Sequence, residues 1–150
     1  MIFFIPFLSQ CFGEELVFRY EDRLAGVILN VMPPKTQLPW HFDQHDLNML
    51  VMISPSNCGG IFEIAPNLRT ANNENYSKVS QIVKGEKNLV KQLTSFKSDD
   101  LCIFNGKQSL HRVTRNAGER NRYTVSFAYT SKRKYSGNAE SNHIVYGLSN

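Results

Sequence analysis

Residues 40–54, WHFDQHDLNMLVMIS, decide the fold class of this chain. The second half of the stretch, 47–54, is almost continuously apolar, which is typical of a strand buried on both faces. The run PSNCGG at 55–60 follows directly and is rich in turn-forming residues. A buried strand that ends in a tight turn indicates a β-rich domain.

Further short apolar runs lie on both sides of this strand and are separated by turns. Residues 35–39 are interpreted as a loop, and 72–96 predict one or two short exposed helices broken near Gly85. The additional predicted strands are 23–32, 61–65, 101–104, 109–114 and 123–130. About seven short strands predict a mainly β fold, either a sandwich or a jelly roll, with a helical insert around 72–96.

Composition excludes several classes of protein. With 150 residues, 41% hydrophobic and 20% charged, the chain is long and apolar enough for one domain with a core. The net charge of +4 is dispersed and no nucleic-acid-binding module surrounds it, so no nucleic-acid partner is expected. The apolar segment 1–12 is too short to span a bilayer, so no membrane association is expected.

The three cysteines, Cys11, Cys58 and Cys102, form no CxxC motif and are odd in number. Neither a disulfide scaffold nor a structural zinc site is therefore supported. A reduced, cytoplasmic protein is expected.

The pair His41 and Asp43 is the first candidate for chemistry. In a strand, residues two apart project from the same face, so an imidazole and a carboxylate would converge. His111, on a later strand, could supply a third ligand and complete a facial site of two histidines and one carboxylate. His45 also forms an HxxxH pair with His41, but Phe42 stands where a zinc protease needs glutamate, so His45 is interpreted as a neighbour of the site or a surface residue.

Arg122 is the second candidate. With period two, Arg122, Thr124 and Ser126 share one face of the last predicted strand, and this face is small and polar apart from its arginine. The planar guanidinium can hold a carboxylate through two parallel hydrogen bonds. Glu63, in the strand after the glycine pair, could face the same pocket or could have a structural role.

The motifs in combination resemble a known family, the iron(II)/2-oxoglutarate-dependent oxygenases. They are HFD at 41–43, SLHRVT at 109–114 and RYT at 122–124. The segments WHFD, GGIFEIAPNLR and DDLCIFNGKQSLHRVT further resemble a bacterial-type subgroup of hydroxylases and halogenases that act on small amino-acid-like substrates. The resemblance covers 24–130.

The resemblance implies a double-stranded β-helix that binds Fe(II) through His41, Asp43 and His111. It implies 2-oxoglutarate and O₂ as cosubstrates, with 2-oxoglutarate held by Arg122, Thr124 and Asn30. Met32 stands where the family often has a tyrosine. Glu63 and Ser126 are candidate contacts for the substrate.

The resemblance also implies an organisation in three parts. Residues 1–22 would be the remnant of an N-terminal support region, which a truncation could have shortened. Residues 23–130 would be the oxygenase core, and 131–150 a peripheral C-terminal tail.

The predicted activity is hydroxylation of a C–H bond in a small, amino-acid-like molecule, with succinate and CO₂ as coproducts. Related halogenases have Gly or Ala where this chain has Asp43, so oxygen transfer is expected rather than halogenation. Two alternatives are a peptidyl or protein hydroxylase and a non-catalytic metal-binding jelly roll. Arg122 distinguishes the enzymes from the non-catalytic jelly roll, because a protein that only binds metal does not need this arginine.

Overall fold

The computed structural model describes residues 4–13 and 17–134, together with His143 and Gly147. Two short helices and nine strands lie in this part of the chain. The helices are α1 (Phe4–Phe12) and α2 (Tyr76–Val83). The strands are β1 (Phe18–Arg19), β2 (Val27–Met32), β3 (Leu38–His41), β4 (Leu47–Ser54), β5 (Phe62–Ala65), β6 (Lys91–Leu93), β7 (Leu101–Phe104), β8 (Leu110–Val113) and β9 (Arg122–Thr130).

The strands form two antiparallel sheets. In the five-stranded sheet, β9 pairs with β4 on one edge and with β1 and β2 on the other, and β7 pairs with β4. The four-stranded sheet has the order β3-β8-β5-β6. The prediction of a mainly β jelly roll is confirmed.

The central core lies between the two sheets. Met32, Leu50 and Phe104 come from the five-stranded sheet. They pack against side chains of the four-stranded sheet, which are Phe62, Ile64 and Val113. Burial of each large apolar side chain contributes about 1.5–3 kcal/mol, so this layer holds the sheets face to face.

Helix α1 packs on the outer face of the five-stranded sheet. Leu8 is 0% exposed and joins a cluster with Val17, Leu47, Met49 and Tyr129. Elsewhere on this face, apolar side chains of β2 reach solvent, and Leu29 is 61% exposed. Among the described residues, no helix is both long and apolar enough to cross a membrane.

The segment 72–96 differs from the sequence prediction. It contains one helix, α2, which ends just before Gly85 (φ 112°), and then a strand where a second helix was allowed. Strand β6 pairs Leu93 with Phe62 at the edge of the four-stranded sheet. Backbone hydrogen bonds to β5 favour a strand here. They outweigh the helix-like spacing of the apolar residues, which extends over only a few positions.

Two strand limits also differ by more than one residue. The predicted C-terminal limit of the loop 35–39 is wrong, because strand β3 already begins at Leu38, which pairs with Val113. The strand predicted from residue 23 begins only at Val27. The carboxylate of Asp22 accepts hydrogen bonds from the backbone N–H groups of Leu24 (2.8 Å) and Ala25 (3.0 Å), which folds the preceding residues into a turn.

The three-part division of the chain remains a prediction. Residues 1–3 and 14–16 of the proposed support region, and most of the proposed tail, lie outside the described residues.

Candidate metal centre

Two neighbouring strands bring the histidines together. Strands β3 and β8 are antiparallel, and His41 is the direct cross-strand partner of His111. Their ring centroids are 4.1 Å apart. Strand pairing across a separation of 70 residues thus creates the two-histidine half of the site.

Asp43 reaches the site in a different way from the one predicted. Strand β3 ends at His41, so Asp43 lies beyond it and strand alternation does not set its direction. Instead, its backbone N–H donates to the carbonyl of Gly106 at 3.1 Å. This bond anchors the loop after β3 to the turn after β7, and the carboxylate turns toward the histidines.

The three side chains form a compact set of metal ligands. One carboxylate oxygen of Asp43 lies 3.3 Å from Nε2 of His111, and the other lies 3.6 Å from Nε2 of His41. One ligand atom from each residue can be chosen so that all lie within 4.8 Å of one another. Two imidazole nitrogens and one carboxylate oxygen suit a divalent transition metal and leave further coordination positions open.

The backbone fixes the histidine tautomers. Nδ1 of His41 lies 2.8 Å from the carbonyl of Pro39, and Nδ1 of His111 lies 2.9 Å from the carbonyl of Ser109. Because a carbonyl can only accept a hydrogen bond, each Nδ1 carries the proton. Each Nε2 is then left with its lone pair free for a metal.

The pKa shifts favour the ligating forms. Burial lowers the pKa of His41, and the neighbouring His111 lowers it further, so its imidazole is neutral at neutral pH. Burial alone would raise the pKa of Asp43, but the hydrogen bond and charge attraction that His111 offers when its ring carries both protons, together with the other histidines, outweigh burial and bring the pKa to about 2. Neutral imidazole and ionised carboxylate are the protonation states that bind metal.

Two supporting residues escaped sequence analysis. Asn48 of β4 is buried and its side-chain amide donates a hydrogen bond to Asp43 Oδ2. Gly106 lies against both groups, and a Cβ atom there would collide with the Asn48 amide and the Asp43 carboxylate. The available signal for Asn48 was its position inside the largely apolar run 47–54.

The triad lines a cavity of about 730 Å³ that runs between the two sheets. The cavity is lined by the side chains that were predicted to share one face of the last strand. It is also lined by the candidate residue Asn30 of β2. Asn30 donates a hydrogen bond to Ser126 Oγ at 2.9 Å. The β9 residues on the cavity wall are Arg122, Thr124 and Ser126.

Arg122 is the unusual charge in this cavity. Its residue is 2% exposed, and Nε and Nη2 have no hydrogen-bond partner in the described part of the chain. Burial lowers the pKa of the guanidinium to about 10, which still leaves it charged at neutral pH. A buried, unpaired cation is costly unless an anion joins it, so the arrangement fits a bound carboxylate.

Glu63 lies outside the cavity, which corrects its assignment as a substrate contact. Phe62 and Ile64 face the core, and Glu63, between them on β5, therefore faces the opposite side. Its carboxylate accepts hydrogen bonds from Arg112 Nε (2.6 Å) and Gln92 Nε2 (2.5 Å). This position is the structural alternative that the sequence left open.

His45 lies beside the triad but is not part of the ligand set. Its Nε2 is 3.9 Å from Asp43 Oδ2, and its ring packs on Tyr20 with centroids 5.4 Å apart. It also lines the cavity. Of the two interpretations from sequence, a neighbour of the site describes it better than a surface residue.

Fold and site together define the class of this chain. Jelly-roll sheets that carry a His-x-Asp pair and a distal histidine at one end are characteristic of the iron(II)/2-oxoglutarate-dependent oxygenases, the family that the motifs resemble. More narrowly, the chain belongs to the halogenase D family, because the family model described as Halogenase D matches residues 5–146.

Solved structures support the same fold. An oxidoreductase of the 2OG-Fe(II) oxygenase family from Burkholderia pseudomallei superposes with a TM-score of 0.59 at 12% identity, covering 86% of this chain and 51% of that one. The α-ketoglutarate-dependent carbocyclase SnoK of nogalamycin biosynthesis gives 0.54 at 14% identity, covering 82% and 55%. A Pseudomonas putida prolyl-4-hydroxylase gives 0.51 at 12% identity, covering 83% and 60%.

The chain therefore spans only about half the length of the solved structures that it resembles. No curated protein matches it significantly.

Proposed function

We propose that this chain is an iron(II)- and 2-oxoglutarate-dependent dioxygenase that hydroxylates a C–H bond of a small, amino-acid-like molecule. Succinate and CO₂ would be the coproducts. The observation that carries the proposal is the buried, unpartnered guanidinium of Arg122 in the same cavity as the triad. A metal site needs no such cation, whereas a dicarboxylate cosubstrate does.

Each residue has a defined role in this proposal. His41, Asp43 and His111 hold Fe(II), which when bound supplies the activation of O₂. Arg122, with Thr124, binds the distal carboxylate of 2-oxoglutarate. Asn30 lines the same cavity and contributes a further hydrogen bond to 2-oxoglutarate. The apolar side chains around the triad exclude water, and Phe104 packs edge-on against His111 with centroids 4.9 Å apart.

Asp43 favours hydroxylation over halogenation, although the family carries the name of a halogenase. Its carboxylate is ionised and held between two histidines, where a halide would need room beside the metal. Two negative ligands at one position are mutually exclusive. Oxygen is then the atom left for transfer.

The cavity favours a small molecule over a folded protein as substrate. Its volume of about 730 Å³ lies within the range of about 300–1,000 Å³ for small-molecule sites. Peptidyl hydroxylation is the second candidate function, because a peptide side chain could also enter a cavity of this size. A cytoplasmic location remains part of the proposal.

The first experiment is an anaerobic visible spectrum of the protein with Fe(II) and 2-oxoglutarate. Chelation of Fe(II) by 2-oxoglutarate at a facial triad should give a weak charge-transfer band in the visible range. His111→Ala should abolish the band, and Arg122→Ala should raise the 2-oxoglutarate concentration needed for it. Arg120→Ala is the matched control, since Arg120 is exposed on the preceding loop and should leave the titration unchanged.

Turnover then separates the candidate functions. Succinate release is followed with free amino acids and with short peptides, in the presence of chloride. The proposal expects a product that gains one oxygen and no halogen from the small molecules. A folded sample without the band and without 2-oxoglutarate binding contradicts the oxygenase proposal, and a chlorinated product contradicts hydroxylation.

A further inference from the structure

The two oxygens of the Asp43 carboxylate have different surroundings. Oδ2 accepts the hydrogen bond from the Asn48 amide and lies near His111. In the described part of the chain, the polar contact of Oδ1 is with Nε2 of His41 at 3.6 Å, which is beyond hydrogen-bonding distance. One oxygen is thus tied to the protein and the other is free to ligate.

Asn48 is held firmly enough to impose this difference. It lies in the middle of the five-stranded sheet, where its backbone partners are Phe104 on one side and Ala128 on the other. The residue is 4% exposed, so its side chain has little freedom to rotate away. A flipped amide would set its oxygen against the carboxylate, so the charge of Asp43 selects the donating orientation.

Gly106 packs against both the Asn48 amide and the Asp43 carboxylate. Its backbone carbonyl accepts from the Asp43 N–H, and its missing Cβ leaves the space that the Asn48 amide and the carboxylate occupy. Backbone and side chain of Asp43 are therefore fixed by two residues of the five-stranded sheet and its adjoining turn.

We propose that Asn48 is a positioning residue that keeps Asp43 a one-oxygen ligand of the metal; this rests on the proposed function. Two histidines and one carboxylate oxygen leave three of six coordination positions open. The 2-oxoglutarate chelate needs two of these and O₂ needs the third. If Oδ2 also bound the metal, it would occupy the position that O₂ requires. In this proposal Asn48 is not a metal ligand and acts through Asp43.

The test compares Asn48→Leu, which keeps the size and removes the donor, with wild type. Co(II) affinity is measured by competition with a chelator, and the Co(II) visible spectrum reports the coordination number. The variant should bind Co(II) about 10- to 100-fold more weakly, as is typical when the outer partner of a ligand is removed. Its spectrum should change in shape, and the melting temperature of the metal-free protein should stay close to that of wild type.

Thr130→Val is the matched control. Thr130 is a buried residue of β9 whose hydroxyl donates to the carboxylate of Asp46 at 2.9 Å, in the same loop as Asp43 but outside the triad. Its Co(II) affinity should stay within about twofold of wild type. Gly106→Ala is the second test, because its methyl group presses on the same two side chains and should weaken Co(II) binding in the same way even if Asn48→Leu fails to fold.

The outcomes are distinct. Wild-type affinity and spectrum in both test variants, or an equal loss in Thr130→Val, would overturn the positioning role. If the wild type still gives the 2-oxoglutarate band in that case, the proposed function stands without it. A wild type that binds no divalent metal would overturn both.

Discussion

At the scale of single residues, two buried charges mark two kinds of site. Glu63 is 0% exposed and has Arg112, Gln92 and Lys87 as partners. Arg122 is equally buried but has unpartnered nitrogens and faces a cavity. Removing one partner of a buried charge that the protein neutralises is destabilising, whereas a buried charge that the protein leaves unpaired fits a site that takes up a ligand of opposite charge.

The pKa of Glu63 gives a prediction about stability. Burial alone would raise this pKa, but the hydrogen bonds from Arg112 and Gln92 outweigh burial and hold it below its usual value of 4.5. Its contribution to stability is therefore present above pH 4.5 and is lost as the pH falls through the lower, folded-state pKa. Glu63→Gln should lower the free energy of unfolding at pH 7 by about 1–3 kcal/mol and flatten its decline in acid.

Denaturant unfolding at pH 7 and at several acid pH values measures both effects. Glu74→Gln is the control, since Glu74 forms an exposed ion pair with Arg69 at 3.0 Å and should cost at most about 1 kcal/mol. Equal stability of Glu63→Gln and wild type at pH 7 would argue against a structural role for the ion pair between Glu63 and Arg112.

At the scale of elements, the turn between β4 and β5 positions Arg122. Gly60 has a φ of 64°, a conformation that side chains disfavour. A Cβ atom there would lie 2.7 Å from Ser56 Oγ and 3.1 Å from Arg122 Cδ. Gly60 thus lets the turn pack directly against the aliphatic part of the arginine.

Gly60→Ala should displace this side chain and weaken 2-oxoglutarate binding by about tenfold, equivalent to about 1.4 kcal/mol. The dissociation constant is read from the charge-transfer titration. Gly85→Ala is the matched control, because Gly85 also has a positive φ (112°) but no atom within 4 Å of an added Cβ. Both variants should lose some stability from backbone strain, and unchanged 2-oxoglutarate affinity in Gly60→Ala would refute the role of the turn.

At the scale of the whole molecule, the candidate metal centre joins the two sheets. His41 and His111 belong to the four-stranded sheet, whereas Asp43 is fixed by Asn48 of the five-stranded sheet and by Gly106 after β7. A metal bound to all three would cross-link the two sheets. Binding to the folded state alone must then stabilise the whole domain.

Metal should therefore raise the melting temperature. At a free metal concentration of 100 times the dissociation constant, the gain is about 2.7 kcal/mol, which corresponds to roughly 5–11 °C for a domain of this size. Anaerobic thermal unfolding with Fe(II) or Co(II) measures the rise, and a chelator should reverse it. His111→Ala should show no rise, whereas His143→Ala, a histidine outside the triad, should behave as wild type; a similar rise in His111→Ala would indicate metal binding elsewhere.

The sequence by itself determined the β-rich fold and the identity of the candidate ligands. Turn residues such as Gly59 and Gly60, the apolar run 47–54 and the alternation along β9 act over a few residues, so their consequences can be read locally. The combination of His41, Asp43, His111 and Arg122 was specific enough to indicate the family.

Only the tertiary structure decided which side chains surround these ligands. It placed Glu63 on the face away from the cavity, turned 91–93 into an edge strand, and brought Asn48 and Gly106 against Asp43. Each of these outcomes depends on the pairing of strands that are far apart in the chain. A shift of one residue in such a pairing would exchange the two faces of a strand, and local sequence patterns do not fix that register.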